Sequence, residues 1–377
     1  MLFAEIPGLG EVKDKLVQAV KQQHVAHALL FHGPVGSPTL SMALALATYL
    51  VCENKQEQDA CGTCAACVKM QKLVHPDIHL IFPLPGVASK EDEKEKEDKP
   101  DDKTSFRRFI QEKPYGLPSD WLYFLGAEKK QLNISKNSAR EIVRSLSLKS
   151  FEGGAKLMFI WCPEFMHVNA ANAILKILEE PPAQTYFFLI THQPDQLLTT
   201  ILSRTQKIAV RSYTDQEVAA HLTQAGHCSE TQAEQLAPLA DGDMRRAYQL
   251  AAQEEDSYTE KIKLWLRKCY VLDVVGLAQE TEQYAKLGKE GQKAFLLAGL
   301  NVIREALLHS SQLSDLMRSA AGEREFIQKF SSGVLNAQKI EQLYICLNEA
   351  YTHIERNANP KIQYTALSYH IYRILRA

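Results

Sequence analysis

Apolar and polar positions along the chain change rhythm partway through. "EVKDKLVQAVKQQ" (11–23) reads as a helix, Ala28–Phe31 as a short strand, "GPVGSPTL" (33–40) as a Gly-rich turn and "SMALALATYLV" as a further helix. "AKLMFIWC" is a continuous apolar run of the kind buried in a parallel sheet. "VNAANAILKILEE" is a helix stopped by Pro181 and Pro182, "TYFFLITH" is a second buried strand, and "LLTTILSRTQKIAV" reads helix, loop, strand. Strands that alternate with helices predict an α/β fold with a parallel sheet and right-handed crossovers. From Thr214 the pattern turns wholly helical, through "DQEVAAHLTQAG" and "SETQAEQLAPLADGDMRRAYQLAAQ", and "QEEDSY" (253–258) is a candidate hinge. Beyond it, an apolar stripe runs through Ile340, Leu343, Leu347, Tyr351 and Ile354, and a last helix opens with Asn359 as N-cap and Pro360 at its first position. No repeat of 20 to 50 residues is visible.

Two segments interrupt this rhythm. Residues 90–103, "KEDEKEKEDKPDDK", carry eight acids and five lysines and are charged everywhere but Pro100, so they read as a solvated insertion rather than an acidic docking tail. After it, "SKNSAREIVRSLSL" has helical spacing at Ala139, Ile142, Val143 and Leu146 with Ser135 as N-cap. Lys136, Arg140 and Arg144 fall four apart on its polar face, a stripe that suits a solvated surface and also phosphates.

The chain has 377 residues, 45% of them hydrophobic, enough for two or three domains with sizeable cores. A net charge of −2 gives no general field toward nucleic acid or membrane, so any such contact is local. Neither a signal peptide nor a membrane span is expected, and eight cysteines, four of them crowded between 52 and 67, suit a reduced, cytoplasmic compartment.

The turn at 33–40 has the placing of a phosphate-binding loop, which reads G-x-x-x-x-G-K-[ST]. Gly33 and Gly36 are present, but Pro38, Thr39 and Leu40 fill its last three positions. Proline has no N–H to donate, Thr39 has no charge and Leu40 cannot ligate magnesium. The buried strand that should end in Asp-Glu ends in Trp161 and Cys162, with Glu164 displaced beyond Pro163 and little suited to act as a base without a metal. Poor nucleotide binding and no hydrolysis are expected.

Cys52, Cys61, Cys64 and Cys67 have the spacing C-x8-C-x2-C-x2-C, which closes a tetrahedron around Zn²⁺ and predicts a structural site. An iron–sulfur cluster is the rival, although no x3-C-P follows Cys67. His75 and His79 are alternative ligands that four cysteines make unnecessary.

"HALLFHGPVG", "CGTCAACVKMQKLVHPD", "NAANAILKILEEPPAQTYFFLITHQPDQLLTTILSRTQKI" and "DGDMRRAYQL" together resemble the bacterial clamp-loader subunits of DNA polymerase III, over residues 1–83 and 130–250. Within that family the two damaged nucleotide motifs fit the δ′ branch rather than the ATP-hydrolysing γ/τ branch. The charged insertion departs from the family pattern, as does Thr205, where the family usually has Cys. The resemblance implies an AAA+ module, with a RecA-like parallel sheet flanked by helices and a small helical lid, followed by an all-α collar. The expected division is 1–208, including a zinc module near 50–80 and the insertion at 84–130, then the lid at 209–252 and the collar at 256–377. It implies a non-hydrolysing stator in a hetero-pentamer with δ and three γ/τ copies, which loads the sliding clamp on primed DNA. It further implies that Arg204 of the "SR" motif acts in trans on a neighbour's ATP, and that the sensor-like Thr191 and Arg245 are structural remnants. Two other readings stay open: an active γ-type ATPase, and a stand-alone zinc-dependent nucleic-acid binder.

Overall fold

The computed structural model describes residues 1–86, 101–128, 130–135, 144, 146, 150–152, 154–252, 256–313, 316–317, 319 and 321–376. Helix α1 (Gly10–Lys21) leads into β1 (Ala28–His32), and α2 (Thr39–Val51) follows the Gly-rich turn. Every residue of α2 from Thr39 to Tyr49 is buried, as befits a helix that is apolar on nearly all sides. Helix α3 (Ala65–Gln71) and strand β2 (Ile78–Ile81) come next, the latter a four-residue run too short to stand out in the sequence pattern.

The chain then leaves the sheet through β3 (Leu84–Pro85), forms α4 (Asp102–Glu112) and α5 (Pro118–Phe124), and returns through β4 (Leu132–Asn133). Antiparallel pairs Leu84 with Asn133 and Pro85 with Leu132 close the base of this excursion. Most of the charged run at 90–103 lies outside the described residues, and its last members, Asp102 and Lys103, open α4 rather than continuing a solvated stretch. Helix α4 buries Phe106, Phe109 and Ile110 on one face. Those rings join Trp121 of α5, which is fully buried and donates its indole N–H to the Pro83 carbonyl at 2.8 Å. The excursion therefore contains an aromatic core of its own, which its charged first half concealed.

Strand β5 (Lys156–Trp161), helix α6 (Val168–Glu179), strand β6 (Thr185–Thr191), the short helix α7 (Thr199–Leu202) and strand β7 (Gln206–Ala209) complete the α/β part. The sheet is parallel throughout, in the order β2-β5-β6-β1-β7. All six residues of β5 are buried, as covering both faces of a parallel sheet demands. They include Lys156, whose ammonium group donates to the Leu146 carbonyl at 2.9 Å. Helix α6 lays Ala170, Ala171, Ile174 and Leu178 on the sheet and stops just before the two prolines. The helix expected at 135–148 lies outside the described residues apart from Ser135, Arg144 and the buried Leu146.

Helices α8 (Asp215–Gln224), α9 (Glu230–Ala240), α10 (Met244–Ala251), α11 (Asp256–Val271), α12 (Val274–Lys286), α13 (Lys289–Ser310), α14 (Ala321–Gly333), α15 (Ala337–Glu355) and α16 (Pro360–Arg376) follow. The first three residues of the expected hinge, 253–255, lie outside the described residues, and the remaining three begin α11. Two compact units result: Met1–His221 with Gly242–Arg246, and Leu222–Asp241 with Ala247–Ala377. Residues expected as a separate lid, 209–252, are shared between these units. The second unit is all-α. Its core gathers Trp265, Tyr284, Phe295 and Tyr364, with the Trp265 N–H donating to Ser368 Oγ at 2.8 Å. The α15 stripe is buried as the spacing predicts, and Tyr351 packs at its margin. Asn359 caps α16, its Oδ1 accepting from Lys361 N at 3.0 Å. A parallel α/β module followed by helices alone is the fold class expected of an AAA+ module with an α-helical collar.

Candidate functional site: a cysteine knuckle and the crest of the sheet

The four cysteines converge. Their sulfurs all lie within 4.8 Å of one another, and Cys61 and Cys67 are 3.9 Å apart. Tetrahedral zinc with bonds of about 2.3 Å holds its thiolates about 3.8 Å apart, so the donor set fits that ion. The loop is shaped to deliver them: Cys61 N donates to Cys52 Sγ, Cys64 N to Cys61 Sγ, and Cys67 N to Cys64 Sγ, where Cys64 caps α3. N–H donation from Thr63 and Cys64 holds the Cys61 thiol down at about 6, whereas burial pushes Cys52 and Cys67 up.

His75 is not part of this cluster. Its Nε2 meets Glu152 at 3.1 Å, and Glu152 also pairs with Lys69 on α3. The buried Asp77 carboxylate accepts from the backbone N–H groups of Phe151 (2.7 Å) and Glu152 (3.1 Å), so the turn before β5 is fastened to the knuckle. His79 sits on β2.

The second part of the site lies at the carboxyl ends of the strands. Gly33 is required by close approach, since an added Cβ would stand 2.0 Å from the Val210 carbonyl oxygen, and Gly36 by a φ of +78°. Two donors just past Gly36 are spent on the turn's own carbonyls. Ser37 N donates to Pro34 O at 3.2 Å, Thr39 N donates to Ser37 O at 2.9 Å, and Pro38 has nothing to give. Thr39 and Leu40 are buried in the first turn of α2. His192 Nδ1 lies 3.0 Å from the Gly33 carbonyl, and burial lowers its pKa. Asp243 stands against the turn, its Oδ1 only 1.9 Å from where a Cβ on Gly36 would lie.

At the end of β5 the Trp161 ring packs 5.3 Å from Phe106 and 5.8 Å from Phe109, centroid to centroid. Cys162 is buried in the left-handed backbone region. Glu164 lies two residues further on. Burial raises its carboxyl to about 7, against hydrogen bonds that include those with the Thr191 and Cys162 side chains. Its Oε2 has no partner among the described residues.

Arg245, expected as a structural remnant of a sensor, makes an ion pair within the chain. Its Nε and Nη2 donate to Asp120 Oδ2 and Oδ1 at 2.6 and 2.8 Å. Asp120 belongs to the insertion, and its Oδ2 also accepts from Leu117 N at 2.8 Å, closing the start of α5. Sequence reading missed Asp120 because an Asp in the first turn of a helix looks like ordinary capping. The only signal for it was Pro118 at the first helical position. Thr191 Oγ1 accepts from Gln193 N at 2.9 Å and turns the chain out of β6.

Arg204 lies between α7 and the edge strand β7, as expected, but its guanidinium turns back onto its own chain. Nε donates to Glu179 Oε1 at 2.6 Å, Nη2 pairs with the same carboxylate, and Nη1 donates to the Thr200 carbonyl at 2.9 Å. The fork remains partly exposed. Thr205 Oγ1 donates to the Ile201 carbonyl at 3.1 Å, which satisfies the hydroxyl at the end of α7. Of the basic stripe, Lys136 and Arg140 lie outside the described residues, and Arg144 is exposed. No helix among the described residues is long and apolar enough to cross a membrane.

A family model described as DNA polymerase III, delta subunit, matches residues 8–214. The chain is 29% identical over 191 residues to the DNA polymerase III subunit delta' of Escherichia coli (strain K12), an alignment covering 51% of this chain and 44% of that protein. It is 32% identical over 184 residues to the subunit delta' of Pseudomonas aeruginosa, covering 49% and 42%. With the subunit delta' of Haemophilus influenzae the identity is 26% over 355 residues, 90% of each chain. The aligned part thus spans less than half of the Escherichia coli and Pseudomonas aeruginosa proteins. A gamma subunit-related protein of DNA polymerase III from Thermotoga maritima covers 97% of this chain and 99% of its own, at 17% identity and a TM-score of 0.42.

Proposed function

The chain belongs to the DNA polymerase III delta-subunit family, and from that premise we propose that it is a δ′-type stator of the replicative clamp loader. In this reading it is a cytoplasmic component of the polymerase holoenzyme. It assembles with δ and three γ/τ subunits and helps them place the sliding clamp on primed DNA. It hydrolyses no ATP itself. The division into a RecA-like module (1–208), lid (209–252) and collar (256–377) belongs to the same reading.

One observation carries it. The end of β5, where paired carboxylates would hold magnesium, is filled by the Trp161 ring packed on Phe106 and Phe109. The loop beside it has spent the Ser37 and Thr39 N–H groups on its own carbonyls, so neither metal nor phosphate meets the ligands that phosphoryl transfer requires. The active γ-type alternative needs both.

The cysteine knuckle holds one structural Zn²⁺ through Cys52, Cys61, Cys64 and Cys67. Four thiolates fill the ion's coordination and leave no position for substrate. Arg204 is the chain's contribution to chemistry. Glu179 keeps its fork turned onto its own subunit until a stronger anion, the triphosphate held by a neighbour, takes it. Arginine suits this role because its planar fork stays charged and matches phosphate oxygens two at a time.

Reconstitution with δ and γ/τ subunits tests the proposal. The chain alone is expected to show no magnesium-dependent ATPase, and the complex to show a clamp- and DNA-stimulated one. Arg204→Ala should leave assembly intact and lower that stimulated rate about tenfold, less than the roughly 10³ to 10⁵ of a lone finger because other fingers in the complex remain. Hydrolysis by the purified chain, or an unchanged rate with Arg204→Ala, would contradict the respective part.

A further inference from the structure

Ligands of open parallel sheets sit in the crevice outside the carboxyl ends of the strands. In this chain the insertion reaches that crest at both of its sides. Phe82, just after β2, stacks on Phe106 with ring centroids 3.9 Å apart. Trp161, the last residue of β5, packs on the same helix α4. Past the end of β7, the Tyr213 hydroxyl meets that of Tyr115 at 2.9 Å, both side chains being buried. Strands β2 and β7 are the opposite edges of the sheet. With neighbouring strands about 4.8 Å apart, those edges are separated by about 19 Å, and one inserted segment spans the distance.

Two carboxylates stand at this crest, one of them from the insertion. Arg245 is a planar fork of the kind that takes a carboxylate or a phosphate in two parallel bonds. Asp120 occupies it, and the Leu117 N–H fixes the carboxylate from behind. The turn at Gly36 is met by the Asp243 carboxylate, which is anchored by Arg246 N at 3.1 Å. Met244 N donates to the Gly36 carbonyl at 3.3 Å, so the start of α10 is bound directly to the loop. All of these residues lie in the first compact unit.

We propose that segment 101–128 is a built-in occupant of the crevice at the crest: its Asp120 fills the Arg245 fork and, beside Asp243 at the loop's turn, holds the crest and the start of α10 together without ligand. This deepens the non-hydrolysing reading and rests on it.

Hydrogen exchange of the full chain, followed by mass spectrometry with and without ADP and magnesium, tests the proposal. Asp120→Asn keeps the side chain's size but removes the charge that grips the fork. It is expected to raise exchange about tenfold in 101–128 and 242–246 together, while β5 and β6 keep their protection. Tyr115→Phe, a milder change at the other end, should loosen 101–128 to a smaller extent. ADP should leave the wild-type pattern unchanged. If both variants leave 242–246 as protected as in the wild type and ADP does not bind, the occupant proposal fails and the stator reading stands. If ADP binds the wild-type chain while 101–128 stays protected, both fail. If ADP binds only by exposing 101–128, the stator reading's empty site is wrong and the competition supports the occupant.

Discussion

The cysteine knuckle and the crest are two excursions from one sheet, and they treat their inherited chemistry in opposite ways. At the knuckle the ligand atoms are assembled at metal-binding distances and backbone N–H groups point at the sulfurs. At the crest the loop keeps its glycines and its close approach to Val210, but its donors turn inward and protein fills the space beside it. The loop's geometry has a use apart from any ligand, since the turn joins a buried strand to a buried helix. The four sulfurs of the knuckle lie at the spacing that a tetrahedral cation demands.

Metal removal separates the two regions most strongly. Zinc held by four thiolates contributes on the order of 10 kcal/mol of apparent free energy. Chelation, or Cys64→Ser, should therefore unfold 52–71 locally, seen as new proteolytic cleavage there, while the sheet stays resistant. One zinc per chain by elemental analysis is the expected stoichiometry; iron, or no metal in reduced protein, would break the comparison on this side.

Trp121→Ala tests the crest. It removes the centre of the aromatic cluster and the bond to Pro83, and should cost about 3 to 5 kcal/mol in urea denaturation. A loss below about 1 kcal/mol would mean that the insertion is not packed as a core. A still finer probe is Glu164→Gln. Its carboxyl sits at about 7 in the folded chain, above the unfolded value of about 4.5, so the acid binds protons more tightly when folded. That contribution is complete below about pH 4.5 and is lost as pH rises through 7. The amide has no such loss, so the variant should gain about 3 kcal/mol relative to wild type at pH 8 and little at pH 4. A pH-independent difference would show that burial of this carboxyl is overstated.

The smallest effect is expected at Arg204, whose partner Glu179 is half exposed. Exposed ion pairs contribute about 0 to 1 kcal/mol, so Arg204→Ala should leave the melting curve of the isolated chain nearly unchanged. A large loss would mark the pair as structural and weaken the case for a finger acting on a neighbour.

The knuckle was legible in the sequence because cysteine spacing of x2 and x2 fixes which sulfurs can meet, and the structure only had to bring Cys52 alongside. Most of the sheet was legible for a similar reason: β5 and β6 are buried on both faces and so read as unbroken apolar runs. The short edge strand β2 escaped, since four residues carry too little pattern. That Pro38, Thr39, Leu40, Trp161 and Cys162 stand where a phosphate loop and a magnesium site carry other residue types was also plain, because residue type is visible without coordinates. The contacts around the crest were not. The link from Asp120 to Arg245 joins residues 125 positions apart, and that from Tyr115 to Tyr213 joins residues 98 apart. Neither leaves a local period or spacing, and the turn of Arg204 onto Glu179 leaves none either. Local propensity and cysteine spacing are properties of neighbouring residues, so the sequence determined most of the elements, the cysteine cluster and the residue types in the Gly-rich loop. Which carboxylate faces which cation depends on how the chain closes over its sheet, and only the tertiary structure decided that.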